Sequence, residues 1–378
     1  MRVPDHPKLP IRRLQAHGHY NARMHAWTRH AIATLEAEAA RSADTHLIRL
    51  DLPAFPGIPL YFKDESVHPT GSLKHRLGRS LFLYAICNGW LDEDRPVIEA
   101  SSGSTAISEA YFARLLNLPF IAVMPRRTSK QKIAQIEFFG GMCHLIDGTD
   151  VYGAAQQLAR ERDGHYMDQF TYAERATDWR GNNNIAESII GQLARERSPE
   201  PHWIVCGAGT GGTSATIGRN LRYRRLDTRL CVAEPAGCGF AEGWRTRSRD
   251  TLARLPTLIE GIGRPCVEPG FLFDVVDHVI EVPDTASIAA AWLLEELLGR
   301  RYGGSSGTNL VACLQLAAAM RARGERGSIV SLLCDPGVRY VETLFNPAWL
   351  AERNIDTAPA REALQLCLAS GRWMPLQE

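Results

Sequence analysis

Five lysines stand against 38 arginines in this chain of 378 residues: Lys8, Lys63, Lys74, Lys130 and Lys132. An amine that serves as nucleophile or base must be neutral when it acts, so local context sorts the five. Lys8 lies in a proline-rich arm, and Lys130 and Lys132 fall in the polar helix start Thr128-Ser-Lys-Gln-Lys, where solvation is expected. Lys63 ends a strand-like run beside Asp64 and Glu65, an arrangement that predicts an ion pair. Lys74 is placed differently. The turn Pro69-Thr70-Gly71-Ser72 supplies a helix cap, and the spacing predicts a helix from Leu73 to Asn88 with Lys74 in its first turn. The positive end of a helix dipole disfavours an ammonium, so this amine is expected to titrate low; a surface lysine at a helix start is the ordinary alternative.

Three loops of small residues could hold anions. Gly207-Ala-Gly209-Thr210-Gly211-Gly212-Thr213 follows the apolar run Trp203 to Cys206 and opens a helix. Consecutive glycines let backbone N–H groups converge on a phosphate there. The same stretch satisfies G-x-G-x-x-G, with Glu234 at the end of the next strand, so a dinucleotide site is also open at this point. Ser101-Ser102-Gly103-Ser104-Thr105 joins a strand to a helix and suits a carboxylate. Gly303-Gly304-Ser305-Ser306-Gly307-Thr308 is expected to be a flexible loop between two helices. Each alone reads most simply as a cap or turn; three together suggest one shared ligand.

The elements that must position these groups alternate. Strand-like runs at Ile58 to Phe62, Val97 to Ala100, Phe120 to Met124, Trp203 to Cys206, Leu230 to Glu234 and Ile329 to Cys334 are separated by helical periods such as Leu73 to Asn88, Ala106 to Leu116 and Ile288 to Leu298. This is the pattern of an α/β protein with mostly parallel sheets. A formal charge of +1 gives no general pull toward nucleic acid or anionic membrane, and no apolar run approaches the ~18 residues that span a bilayer. The N-terminal MRVPDHPKLPIRR does not read as a signal peptide. Nine cysteines without a C-x-x-C pair argue against zinc ribbons and disulfide scaffolds and for a reducing, cytoplasmic compartment. Five histidines in the first 45 residues, including His17 and His19, are irregularly spaced and lack acidic or thiol neighbours, so no metal is expected.

Pro69-Thr-Gly-Ser72-Leu-Lys74-His-Arg76, Ser102-Gly-Ser-Thr105, Gly209-Thr-Gly-Gly-Thr213 and Gly304-Ser-Ser-Gly307 occur in this order, with Asp168-Gln169-Phe170 and Glu260-Gly261-Ile-Gly263 between them. On these motifs the chain resembles the fold type II pyridoxal-phosphate enzymes, specifically the cysteine synthase and cystathionine β-synthase family, from about Leu52 to Leu344. The resemblance implies two three-layer αβα domains with pyridoxal 5'-phosphate between them. It divides the chain into a smaller mobile domain over 68–178, a larger phosphate-binding domain over 1–67 and 179–345, and a helical tail over 346–378. It makes Lys74 the Schiff-base lysine, Gly209, Thr210, Gly211, Gly212 and Thr213 the phosphate grip, and Ser305 the hydroxyl facing the pyridine nitrogen. Ser104 would lie beside the cofactor. Ser101, Ser102, Gly103, Thr105 and Gln169 would hold the substrate carboxylate, with Gly261 near the substrate entrance. A homodimer acting on a small amino acid is implied, with no nucleic-acid or membrane partner.

Three departures bear on the reaction. The family usually carries Asn where this chain has Ser104, and its Asn-rich stretch after Gln169-Phe170 is replaced by Thr171 to Asp178, while Arg264-Pro265 follows the glycine loop. The pattern EASSGSTAISEAYFARLL is most similar to the bacterial L-cysteine desulfhydrase branch, which implies β-elimination from cysteine with release of sulfide, pyruvate and ammonia. A synthase carrying out β-replacement is the nearest alternative; a catalytically silent scaffold or an NAD-binding protein is the alternative from another class.

Overall fold

The computed structural model describes residues 17–181 and 184–376. Among the described residues ten strands form two sheets. Strands β1 (Leu47–Leu50) and β2 (Leu60–Asp64) open the chain's larger sheet, and β3 (Val97–Ala100), β4 (Phe120–Pro125), β5 (Met142–Ile146) and β6 (His165–Tyr166) make a separate smaller one. The chain then returns to the larger sheet with β7 (Trp203–Gly207), β8 (Arg229–Pro235), β9 (His278–Val282) and β10 (Ile329–Leu333). The orders are β1-β2-β10-β7-β8-β9 and β5-β4-β3-β6. Only β1 pairs antiparallel, with β2; every other pairing is parallel.

Parallel sheets need helices on both faces, and the central strands show it: β2, β3 and β10 are buried at every residue. Strand β2 starts later than the apolar run suggests because Pro59 has no N–H to give the ladder, although its carbonyl accepts from Ile329. The core of the smaller sheet includes Ala31 and Leu35 from the N-terminal helix His17–Ala40, with Phe82, Phe112 and Phe120. The C-terminal helix Ala358–Ser370 places Ala360, Leu364 and Cys367 in the core of the larger sheet, so the tail is part of the packed body.

The residues expected to form a flexible loop at Gly303 to Thr308 do not. Gly303 precedes the helix Gly304–Ala322, and Ser305, Ser306 and Thr308 are buried in its opening turns. Tertiary contact imposes this. Gly303 N–H bonds the Asp335 carbonyl beyond β10, and Thr308 Oγ1 meets Ser287 Oγ at 2.8 Å on the neighbouring helix Asp284–Leu298. A Cβ on Gly307 would lie 2.0 Å from the Ser287 carbonyl oxygen, so glycine is what lets the two helices touch. Gly307→Ala is expected to lower stability by about 1–3 kcal/mol, read as a fall in the urea midpoint at constant slope.

Candidate active site

Lys74 is aimed by its neighbours. It is the first residue of the helix Lys74–Cys87, and successive side chains on a helix diverge by ~100°. His75 Nε2 lies 3.1 Å from Glu38 Oε1, with Thr70 Oγ1 on its other nitrogen at 3.2 Å. Arg76 Nε donates to the buried Glu65 at 2.6 Å. These two clamps hold two faces of the first turn and leave Lys74 facing a cavity of about 490 Å³ between the two sheets. Its amine is pushed down to about 8, first by burial and then by repulsion from Arg264, against the opposing influence of Cys334 and Glu99. Burial, rather than the helix end alone, is therefore what lowers it.

The anion loops meet at the same cavity. Lys74, Ser101, Ser102, Gly103, Ser104, Thr105, Gln169, Gly209, Thr210, Gly211, Thr213, Gly261 and Ser305 all line it. Gly212 does not; it faces an adjoining cavity of about 280 Å³, its N–H donates to Thr210 Oγ1 at 3.2 Å, and it starts the helix Gly212–Arg224. Gly211 has φ +81°, and a Cβ there would come within 2.4 Å of the Phe271 nitrogen. A Cβ on Gly209 would meet the Gly261 carbonyl oxygen at 2.4 Å. The loop is thus pressed against backbone on one side, with the unpaired N–H groups of a helix start on the other. An anion cradle beside a partly desolvated amine and the buried Ser305 hydroxyl fits a phosphorylated aldehyde such as pyridoxal phosphate.

Glu234 removes the dinucleotide alternative. Its two carboxylate oxygens accept from the N–H groups of Phe240, at 2.8 Å, and Ala241, at 2.6 Å. It caps the next helix and is fully buried, so it has no free oxygen for a ribose. The metal reading of His17 and His19 concerns side chains outside the described residues. Among the described residues no group of three or more His, Cys, Asp or Glu is placed to hold a metal ion.

On the opposite wall, Thr105 Oγ1 donates to Gln169 Oε1 at 2.7 Å. That bond orients the amide so that its NH₂ is left for a ligand. Beneath it lie two carboxyl groups that sequence reasoning missed. Glu99 is buried in β3 and accepts from the Gln169 N–H at 3.1 Å and from the Ala100 N–H at 2.7 Å. Glu109 lies beside it with no other partner for its oxygens, and burial raises both groups well above ordinary carboxyl values, so the pair keeps a proton. Only the 10-residue separation within one strand-to-helix unit hinted at their meeting.

Three further contacts join the two sheets' sides beside the cavity. Arg339 Nη1 donates to Ser104 Oγ and Nη2 to the Thr70 carbonyl, each at 2.8 Å. Lys132, expected in solvent, pairs with Glu260 at 2.9 Å. Arg264 Nη2 donates to the Tyr152 hydroxyl at 2.6 Å. Lys63, by contrast, is fully buried away from the site, with Nζ 2.7 Å from both the Thr45 carbonyl and Gln192 Oε1 and 3.3 Å from Asp44.

The family model described as "pyridoxal-phosphate dependent enzyme" matches residues 41–335. The chain belongs to the pyridoxal-phosphate dependent enzymes. It is 56% identical over 353 residues to the L-cysteine desulfhydrase Cds1 of Mycobacterium tuberculosis, covering 92% of this chain and 96% of that one. It is 28% identical to a cysteine synthase of Aquifex aeolicus, over 76% of this chain and 83% of the other. Among solved structures, O-ureido-L-serine synthase superposes with a TM-score of 0.70 at 26% identity, covering 81% of this chain and 96% of that one. A hydrogen sulfide-producing enzyme of Fusobacterium nucleatum shares the fold, with a TM-score of 0.73 at 23% identity over 83% of this chain and 92% of that one. The two-domain αβα architecture and the cofactor implied by the sequence motifs are those of this family.

Covalent capture of an aldehyde needs the neutral amine. Because the Lys74 ammonium loses its proton near pH 8 rather than above 10, the rate of reconstitution of the apoprotein with pyridoxal phosphate is expected to rise with a midpoint near pH 8. Stopped-flow absorbance of the bound chromophore reads this rate, and Lys74→Ala is expected to abolish the signal.

Proposed function

We propose that this protein is an L-cysteine desulfhydrase, converting cysteine and water into pyruvate, ammonia and hydrogen sulfide. The observation that carries the reading is 56% identity to the M. tuberculosis L-cysteine desulfhydrase across almost the full length of both chains. The cavity gives it a physical basis, since a low-titrating amine, a carboxylate cradle and a phosphate cradle share one space.

Pyridoxal phosphate, when bound, supplies an aldehyde that takes the substrate's amine and a conjugated ring that draws electrons from Cα. The chain's own groups do the rest. Gly209, Thr210, Gly211 and Thr213 grip the phosphate through backbone and hydroxyl donors, with Gly212 setting the helix start. Ser101, Ser102, Gly103, Thr105 and the Gln169 amide hold the substrate carboxylate, which fixes the Cα–H bond toward Lys74 and converts a bimolecular proton transfer into a local one. Neutral Lys74 takes that proton on Nζ and has it available for the departing sulfur, so the Cα proton leaves as part of hydrogen sulfide. Ser305 offers the ring nitrogen a neutral hydroxyl rather than a carboxylate. Such a hydroxyl would not hold the ring nitrogen protonated as a carboxylate would, which would favour prompt loss of the β-substituent. Ser104 borders the cofactor with its oxygen held by Arg339, and Gly261 borders the entrance.

We also infer that the enzyme works as a cytoplasmic homodimer. Resemblance to the cysteine synthase family supports the dimer, and nine cysteines of which none is in a disulfide suit a reducing compartment. Sedimentation equilibrium is expected to give twice the chain mass; a monomer overturns this part. The activity is tested by supplying the holoenzyme with cysteine alone and measuring sulfide and pyruvate together, then with O-acetylserine plus sulfide. Equimolar sulfide and pyruvate are expected in the first case. Efficient net cysteine synthesis with negligible pyruvate would replace the desulfhydrase reading with a synthase.

A further inference from the structure

An elimination enzyme and a replacement enzyme need the same first half-reaction and differ in what reaches Cβ after sulfide has gone. Arg264 lines the cavity in which that choice is made. It follows the glycine loop Glu260 to Gly263 on the larger sheet's side, while Tyr152 and Phe170 reach in from helices on the smaller sheet's side. All three line the cavity. The guanidinium carbon is 4.5 Å from the Phe170 ring centre, Nη2 donates to the Tyr152 hydroxyl at 2.6 Å, and the Tyr152 ring stands edge-on to Phe170 at 5.5 Å. Arg264 and Lys74 line the same cavity.

A cation in this position would ordinarily draw in thiolates. Here the charge is already matched: Arg264 Nε donates to Glu268 Oε1 at 2.8 Å, and Glu268 is only 8% exposed. What the side chain then presents to an incoming molecule is mainly bulk, stiffened by stacking on Phe170 and by hydrogen bonds from both sides. Hydrogen sulfide, with one heavy atom, can leave past such a barrier. A second amino-acid thiol, with a carbon chain and two charged ends, would have to displace it and break the Tyr152 and Phe170 contacts.

We propose that Arg264, locked between Tyr152, Phe170 and Glu268, is a specificity-determining residue that excludes a second amino-acid thiol and so holds the enzyme to elimination. The assignment rests on the desulfhydrase reading and deepens it. In replacement, the incoming sulfur would bond to Cβ, its proton would pass through the Lys74 amine to Cα, and one thioether would form for each sulfide released. In elimination no C–S bond forms, and water removes the nitrogen as ammonia, leaving pyruvate.

The test gives holoenzyme L-cysteine with and without L-homocysteine and quantifies cystathionine and pyruvate in the same sample. In Arg264→Ala the cystathionine-to-pyruvate ratio is expected to rise by on the order of tenfold or more, with a lower KM for homocysteine. Tyr152→Phe, which removes one hydrogen bond and keeps the ring, is expected to raise the ratio less. Amide hydrogen exchange over residues 150–161 and 260–268, measured on both variants, is expected to rise with loss of the lock. Faster exchange with an unmoved product ratio would overturn the proposal, as would unchanged exchange in both variants. If Arg264→Ala does not fold, Tyr152→Phe carries the same two readouts. Failure of the unaltered enzyme to release sulfide and pyruvate from cysteine alone would instead overturn the desulfhydrase reading, a separate outcome.

Discussion

Taking an amine out of water penalises its charged form far more than its neutral one, and in this protein that penalty falls on Lys74 at the seam between two sheets. Much of the surrounding structure serves that placement. His75 and Arg76 tie the start of its helix to Glu38 and Glu65 through a buried hydrogen bond and a buried ion pair, which fixes the turn that carries the side chain. Arg264 adds a positive neighbour, while Cys334 and Glu99 oppose it, and the balance leaves an amine that is mostly protonated but has an appreciable neutral fraction near physiological pH.

Both sheets deliver their ligands by one device. A buried parallel strand ends, a few small residues turn, and a helix begins: β3 runs to Ser101–Thr105, and β7 to Gly209–Thr213, so first-turn N–H groups that lack an intrahelical partner face the cavity. In open α/β sheets ligands collect outside the carboxyl ends of the strands, and placing two such ends face to face makes room for a molecule with an anionic group at each end. The third set of hydroxyls reaches the cavity another way, as the first turn of a helix held against Asp284–Leu298 by the absence of a side chain at Gly307. Rigid elements thus supply all three walls, which keeps reacting atoms in register.

The groups spanning the cavity mouth come from opposite sides of the molecule. Arg339 to Ser104, Lys132 to Glu260 and Arg264 to Tyr152 each join the larger sheet's side to the smaller one's. Individually such contacts are modest, and the exposed ones are screened by solvent.

The chemistry-bearing motifs were legible in the chain because they depend on local backbone. Glycines at 209 and 211, small hydroxyl residues before a helix and a lysine in a first turn have the same meaning wherever they are placed, and alternating apolar runs announce parallel strands before any contact is known. Contacts between segments distant in sequence were not legible. Gly303 to Thr308 looks like a flexible loop until Ser287 and Asp335 fold against it; Glu234 looks like a ribose ligand until the Phe240 and Ala241 amides claim both its oxygens; Lys132 looks like a solvated cation until Glu260 arrives from the other side. Sequence by itself therefore determined the kind of backbone and the kind of reactive group, since these follow from conformational preference and side-chain type. Tertiary structure alone decided which charges are neutralised, which carboxyls keep a proton and how wide the entrance is, because burial and pairing are properties of what packs together rather than of what is adjacent in the chain.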